Sequence, residues 1–370
     1  RAVLSAVVIG AGQAGLAAAF HLRRLEVVPG REFVVLDANM RPGGAWQHRW
    51  SSLTMGAVHG VAALPDLPVP AAREDEQARA VIPPYFAEYE RRYQLPVVRP
   101  VQVTAVEPVL STGAASGAGR DLLRVRSADE SWLTRTVINA TGTWERPFIP
   151  YYPGMGSFAG RQLHTHDYAG PAEFRGMHVV VVGGGASAVQ ILAELSEVAT
   201  TTWVTRRTPV WRTAAFTESA GREAVALVEE RVRRGLPPAS VVSVTGLMLR
   251  EQEQAALARG VYLRRPMFAR VTASGVEWAD GVREDADAIL WCTGFRPDVI
   301  HLAPLGLRSP LGGIELDGTS AVADRRVQLV GYGPSASTIG ASRAGRTAAL
   351  NVSLLLAGVA HAAESGSDLS

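Results

Sequence analysis

Short β-branched apolar runs alternate along this chain with stretches in which apolar residues recur every three to four positions. That is the pattern of strands alternating with helices in an α/β protein. Residues 6–9 form one such run, residues 16–25 follow with Leu, Ala and Phe at helical spacing, and residues 32–37 return to a strand. The order repeats at 177–182, 188–197 and 202–205. Each set predicts a strand–helix–strand unit, and no other internal repeat is evident.

Between and after these units the pattern is more broken. A helix is expected over 85–93, ended by Pro96, then alternating strands at 97–109, 122–127 and 132–139, with the Ser/Gly/Ala-rich stretch 111–119 as a surface turn. The Pro-rich passage 146–153 reads as a crossing between domains. Residues 218–234 and 247–259, rich in Glu, Arg and Ala, read as helices, 287–291 and 327–330 as strands, and 339–356 as a closing helix before a frayed tail at 362–370.

Both units carry a glycine turn where strand passes to helix: Gly10-Ala11-Gly12-Gln13-Ala14-Gly15 in the first, Gly183-Gly184-Gly185-Ala186-Ser187-Ala188 in the second. In such a fingerprint the first glycine permits the tight turn, the second lets backbone approach a pyrophosphate, and the third lets helix and strand pack closely, the helix N-terminus facing the phosphates. In the second unit Ala188 replaces the third glycine, still small enough to pack. An acid, Asp37, ends the first unit's second strand, placed to hydrogen-bond a ribose, whereas Arg206 and Arg207 end the second's, placed to clamp a 2′-phosphate. The alternatives are a ligand-free glycine turn for the first site and solvated surface arginines for the second. The expected fold is α/β, with two Rossmann-like three-layer dinucleotide-binding domains. The first is discontinuous, residues 1–150 and 293–370, and the second, 151–292, is inserted into it with a helical insertion at about 214–260.

Composition narrows the partners. The 370 residues, 47% of them hydrophobic, are enough for two cores, and 37 Lys+Arg against 35 Asp+Glu leave a formal charge of +2 with no concentrated basic stretch, so no nucleic-acid partner is expected. One cysteine, Cys292, cannot build a disulfide framework or a thiolate metal cluster, which predicts a reducing cytoplasm and no metal site; it reads as a small buried hydrophobe. Residues 4–20 are broken by three glycines and Gln13 and precede no cleavage site, so they are not expected to be a signal peptide, and no run approaches the roughly 20 apolar residues of a membrane span.

Four landmarks, in order, resemble the class B flavoprotein monooxygenases, the flavin-containing and Baeyer–Villiger monooxygenases. They are the first fingerprint with Asp37; Gly43-Gly44-Ala45-Trp46; the stretch from Phe158 through Gly160 and His164 to Tyr168; and Thr293-Gly294-Phe295-Arg296-Pro297-Asp298. The resemblance covers nearly the whole chain and is strongest to the compact bacterial type, in which the arginine pair is often absent. It implies FAD on the first domain at Gly10, Gly12, Gln13, Ala14, Gly15, Asp37, Gly44, Ala45, Trp46, Trp50, Val103, Thr141, Gly142 and Gly331. NADPH, with NADH as the alternative donor, would sit on the second at Gly183, Gly185, Ser187, Ala188, Arg206, Arg207, Thr293 and Gly294. It further implies that hydride reduces the flavin, that molecular oxygen then forms a C4a-(hydro)peroxyflavin, and that one oxygen atom passes to a small-molecule substrate. The protein supplies position, dryness and electrostatics, and needs no side-chain nucleophile.

His48, Arg49, Tyr332 and, by sequence region, Arg343 are the candidates for groups near the reaction, with His59 as a further polar contact in the flavin loop; His164 is expected to brace the linker. A disulfide reductase shares this architecture but needs a cysteine pair. An oxidase releasing hydrogen peroxide and a non-catalytic redox-sensing flavoprotein are the other readings, the second disfavoured by a complete hydride-donor site. Tyr168, without a following acid or proline, is more like the flavin-containing type, which points to sulfide or amine oxygenation with ketone insertion as a secondary activity. A symmetric dimer is the natural assembly to expect.

Overall fold

The computed structural model describes residues 2–58, 60–109, 122–212, 218–238 and 246–367. Strand β1 (Leu4–Ile9) runs into the first glycine turn and helix α1 (Gln13–Arg24), and strand β2 (Phe33–Leu36) returns beside it. Helix α2 (Ala78–Arg92), β3 (Val97–Val98), β4 (Ala105–Pro108), β5 (Leu123–Arg126) and β6 (Ser131–Asn139) complete the N-terminal part. β1 lies between β2 and β6 and is parallel to both, with Ala6 opposite Phe33 on one side and Thr136 on the other. Beyond β6 the sheet is extended by Val327–Leu329, Ser320–Ala321 and Leu316–Asp317, which come from far along the chain. The antiparallel pair β4 and β5 hangs from β6.

The apolar period that predicts α1 also sets what covers this sheet. Leu16, Ala18, Ala19, Phe20 and Leu22 are buried in one cluster with Ile82, Phe86 and Tyr89 of α2 and with Ala344, Ala348 and Val352 of the C-terminal helix, Thr338–Ser367. That helix crosses α1 closely because Gly345 has no side chain: a Cβ there would stand 2.8 Å from the backbone nitrogen of Ala18.

The second sheet is parallel throughout, in the order Arg264–Pro266, β9 (Thr200–Thr205), β8 (His178–Val182), Ala288–Trp291 and β7 (Arg161–His164). Helix α3 (Ala186–Leu195) follows the second glycine turn and buries Val189, Ile191, Leu192 and Leu195 against it. Two chain passages connect the sheets, and they pair with each other. Pro147 and Phe295 form an antiparallel bridge, Phe148 N–H donates to Gly294 C=O at 3.0 Å, and Arg296 N–H donates to Arg146 C=O at 2.8 Å.

Several elements differ from the sequence expectation. Helix α2 begins at Ala78 rather than at Tyr85 and runs through Pro83 and Pro84; although proline removes backbone donors, burial of Ala78, Ile82, Tyr85, Phe86 and Tyr89 along one face keeps the segment helical. Residues 247–259 are not one helix. Leu247–Met248 pairs in parallel with Trp211–Arg212, and only Glu251–Ala258 is helical, its start marked by the Glu253 carboxylate accepting from Arg250 N–H at 3.1 Å. The C-terminal helix continues to Ser367, past the tail expected to fray at 362. The turn expected at 111–119 lies outside the described residues, as does His59. No helix among the described residues is long and apolar enough to cross a membrane.

Candidate active site

Both glycine turns end in helices whose first N–H groups have no side-chain cap. α1 starts after Gly12 and α3 after Gly185, neither N-cap offers a hydrogen bond, and neither first turn holds an acid. Orphan donors at a helix start bind anions well. A Cβ on Gly12 or on Gly185 would meet nothing within 4 Å, so both turns are open on the side where a phosphate would approach. Gly10 and Gly183 are the opposite. At φ +101 and +143 they press on the neighbouring strand ends, and an added Cβ would lie 2.6 Å from Ala140 C=O and 2.1 Å from Cys292 C=O.

The two turns open into one cleft of about 790 Å³. The first sheet lines it with Gly10, Gly12, Gln13, Ala14, Asp37, Asn39, Gly44, Ala45, Trp46, Val103, Thr141, Gly142 and Gly331, and the second with Thr165, Gly185, Ser187, Thr293, Gly294 and Phe295. Gly331 stands beside Ala14 and Gly142, where a Cβ would come within 3.9 Å of both. Thr141 Oγ1 donates to Asp298 C=O at 2.5 Å and Thr293 Oγ1 to Phe148 C=O, so each Thr-Gly step is pinned to the other passage between the sheets.

Asp37 is 3% exposed and already partnered. Arg99 Nε donates to Oδ2 at 2.8 Å and Asn39 Nδ2 to Oδ1 at 3.0 Å, while the remaining Arg99 nitrogens bind Glu90 at 2.6 and 2.7 Å. A carboxylate keeps lone pairs for further donors, so this clamp orients Asp37 without closing it to a ribose.

Only two buried side-chain polar atoms among the described residues lack a partner, Gln13 Oε1 and Arg49 Nε, and both residues line this cleft. Arg49 lies 4.7 Å over the ring of Trp144 and 5.8 Å over that of Trp46, and burial lowers its pKa to about 10. No salt bridge to this guanidinium occurs among the described residues, and it presents a positive group to the cleft. Trp144 is the centre of an aromatic group, stacked on Phe295 at 5.2 Å and on His48 at 6.1 Å, with His166 tilted against it at 4.9 Å. His48 lies in the lining with Nε2 2.7 Å from Asn39 Oδ1, and burial lowers its pKa despite Glu145 and Asp37 nearby.

Other sequence candidates are elsewhere. Trp50 does not face the cleft: its indole N–H donates to Glu194 at 3.2 Å and its ring is buried with the second sheet's core. Tyr332 is also turned away, buried among first-sheet residues with its hydroxyl accepting from Ile314 N–H at 3.1 Å. Arg343 is exposed on the C-terminal helix, outside the lining. Gly15, Gly183 and Ala188 serve packing and do not line the cleft. Arg206 and Arg207 are exposed at the end of β9, likewise outside the lining. Phe158 and Gly160 pack on the second sheet, where a Cβ on Gly160 would strike the Phe158 ring at 2.5 Å. His164 joins the passages: Nε2–H donates to Gly294 C=O at 2.9 Å and Nδ1 accepts from His166 N–H at 3.0 Å, which fixes a neutral ring whose pKa burial depresses. Cys292, by contrast, does border the cleft, but it is buried and its thiol is pushed up to about 12 by burial. Arg99, Trp144 and Glu194 had no local sequence signal, because their partners are distant in the chain.

The geometry fits two dinucleotides: two open glycine turns, two uncapped helix starts, an oriented ribose acceptor and orphan polar atoms border one cleft. Residues 4–332 match the family model described as pyridine nucleotide-disulphide oxidoreductase. That match covers the two-dinucleotide scaffold; the disulfide chemistry in its name needs two thiols, and this chain has one. A solved flavin-containing monooxygenase from Stenotrophomonas maltophilia is similar at TM-score 0.79 and 40% identity, over 96% of this chain and 100% of that one. The uncharacterized oxidoreductase CzcO of Bacillus subtilis is 23% identical over 78% of this chain and 81% of its own length. The rice indole-3-pyruvate monooxygenase YUCCA1, from Oryza sativa subsp. japonica, is 31% identical over 52% of this chain and 45% of its own. With the fold and cleft described above, these place the chain in the class B flavoprotein monooxygenases, oxidoreductases of the flavin-containing monooxygenase type.

Proposed function

We propose that this chain uses FAD and NADPH to transfer one atom of molecular oxygen to a small organic substrate, most readily the sulfur of a thioether or the nitrogen of an amine. The single observation that carries the reading is the continuous cleft bordered by both open glycine turns, because hydride transfer requires two dinucleotides to meet. FAD would be held on residues 1–150 and 293–370. There Gly10, Gly12 and the start of α1 would hold its pyrophosphate, Asp37 its ribose, and Gly44, Trp46, Val103, Thr141, Gly142 and Gly331 its length. NADPH would lie on residues 151–292, at Gly185 and Ser187, and against Thr293 and Gly294 where the chain returns to the first part, with Arg206 and Arg207 reaching its 2′-phosphate. When bound, the flavin supplies hydride acceptance and oxygen activation.

The chain's own contribution is orientation and exclusion of water. Trp46, Trp144 and Phe295 present aromatic surface to the cleft, and His164 and the paired passages fix the two Thr-Gly steps. Arg49 favours a second reading, oxygen insertion beside a ketone carbonyl, since a cation there stabilises negative charge that develops on attack at such a carbon.

The test is a coupled turnover measurement: the FAD-loaded protein receives NADPH and oxygen with a thioether, then with a cyclic ketone. Sulfoxide formed in proportion to NADPH consumed is expected, with lactone slower. NADPH consumption matched by hydrogen peroxide, with no oxygenated product from either, would establish an oxidase.

A further inference from the structure

We infer that Glu194 is a positioning residue whose carboxylate fastens the helix of the second glycine turn to the loop that leaves the first site, and so sets how the two dinucleotides approach. The inference rests on the proposed two-dinucleotide reading of the cleft.

Glu194 lies in the last turn of α3, the helix that begins at the open second turn. Its carboxylate gathers three donors from outside the helix. Trp50 Nε1–H reaches Oε1 at 3.2 Å, and Ser52 Oγ and Tyr168 Oη reach Oε2 at 2.6 and 3.1 Å. Trp50 and Ser52 belong to the loop that continues from Gly44 to Arg49, the run that lines the cleft on the first-sheet side. Tyr168 closes the segment after β7. One side chain therefore ties three separate parts of the chain.

A carboxylate near a helix C-terminus faces the negative end of the helix dipole, so its place there is not explained by helix stability. Burial holds the Glu194 carboxyl above the usual range, with Ser52, Trp50 and Tyr168 acting against that and Glu197 adding to it. Its neighbours are correspondingly well made. Trp50 and Tyr168 are 3% and 2% exposed and meet edge to face at 6.0 Å. Gln190, one turn earlier on the same face of α3, donates from Nε2 to Ala57 C=O at 2.6 Å, and Arg250 donates to the same carbonyl. Ser51 binds Ala169 C=O through N–H at 3.2 Å and Oγ at 2.8 Å. α3 is one continuous helix from Ala186 to Leu195, so holding its C-terminal end orients the phosphate-facing end relative to the flavin-side loop.

The test compares Glu194→Ala and Glu194→Gln in the FAD-loaded protein. Glu194→Ala is expected to lower the limiting rate of anaerobic flavin reduction by saturating NADPH roughly ten- to hundredfold, the scale of an ångström-sized misplacement. FAD content and reduction by dithionite should be unchanged. X-ray scattering should show a larger radius of gyration, and Glu194→Gln, which keeps one acceptor oxygen, should recover part of both effects. An unchanged limiting rate and radius would overturn the inference, and so would a weaker NADPH affinity at an unchanged limiting rate. If Glu194→Ala does not fold, Ser52→Ala and Tyr168→Phe, each removing one donor, decide the matter by the same readouts. If NADPH fails to reduce even the unaltered protein, the proposed function is wrong, and the scattering comparison alone decides whether Glu194 fastens the two parts.

Discussion

Gly10 and Gly183 hold the same place in their units, each wedged against the end of the strand beside it, and Gly12 and Gly185 both face open space. One step further the units diverge. A Cβ on Gly15 would stand 1.9 Å from Gly10 C=O, so α1 packs onto its turn as closely as backbone allows, whereas α3 carries Ala188 at that place, fully buried. At the ribose end the first unit has a buried acid clamped by Arg99 and Asn39, and the second has two exposed arginines. Preorganised, buried polar groups cost little to bring to a ligand, and exposed flexible ones cost more. Under the proposed function, the first site would retain its FAD and the second would exchange its NADPH.

The two units differ most in packing at Gly15. Gly15→Ala should destabilise the protein by about 3 kcal/mol or more, because the clash is with backbone that cannot step aside. Denaturant midpoints would show it, and an unchanged midpoint would mean that α1 is no closer to its turn than α3. A smaller effect is expected where the ribose ends differ. Replacing Arg206 and Arg207 by alanine should shift the kcat/KM preference for NADPH over NADH by one to two orders of magnitude, the loss of a charge-assisted contact of roughly 1.5–3 kcal/mol. An unmoved ratio would remove the 2′-phosphate role. Smallest of all, Ala188→Gly should cost about 1 kcal/mol, the ordinary penalty for glycine inside a helix; tighter NADPH binding in this variant would show that the methyl group sets the looseness of the second site.

Sequence made the local features legible. The glycine turns, Asp37 and the strand–helix alternation are each written within one strand–helix–strand unit, residues 4–37 or 178–205. What was hidden was contact between distant segments. Trp50 looks like a flavin contact because it follows Trp46, yet its donor N–H is claimed by Glu194, 144 positions away. Arg99 meets Asp37 across 62 positions, and nothing in the residues flanking either announces the pair. The helix expected from Tyr85 instead starts at Ala78 and runs through Pro83 and Pro84, because burial of its aromatic face overrides the local penalty on proline. Tyr332 sits beside Gly331, which lines the cleft, but its side chain turns into the opposite core.

The two passages between the sheets are hydrogen-bonded to each other from Arg146–Phe148 to Gly294–Arg296. Two separate tethers would let the second part swing in several directions. A paired ribbon resists splaying more than two separate tethers would, and the bonds of Glu194 and Gln190 to residues 50–57 restrain the same two parts further. Under the proposed function, a nucleotide carried on the second part would thereby stay at high effective concentration near the first throughout a reaction cycle.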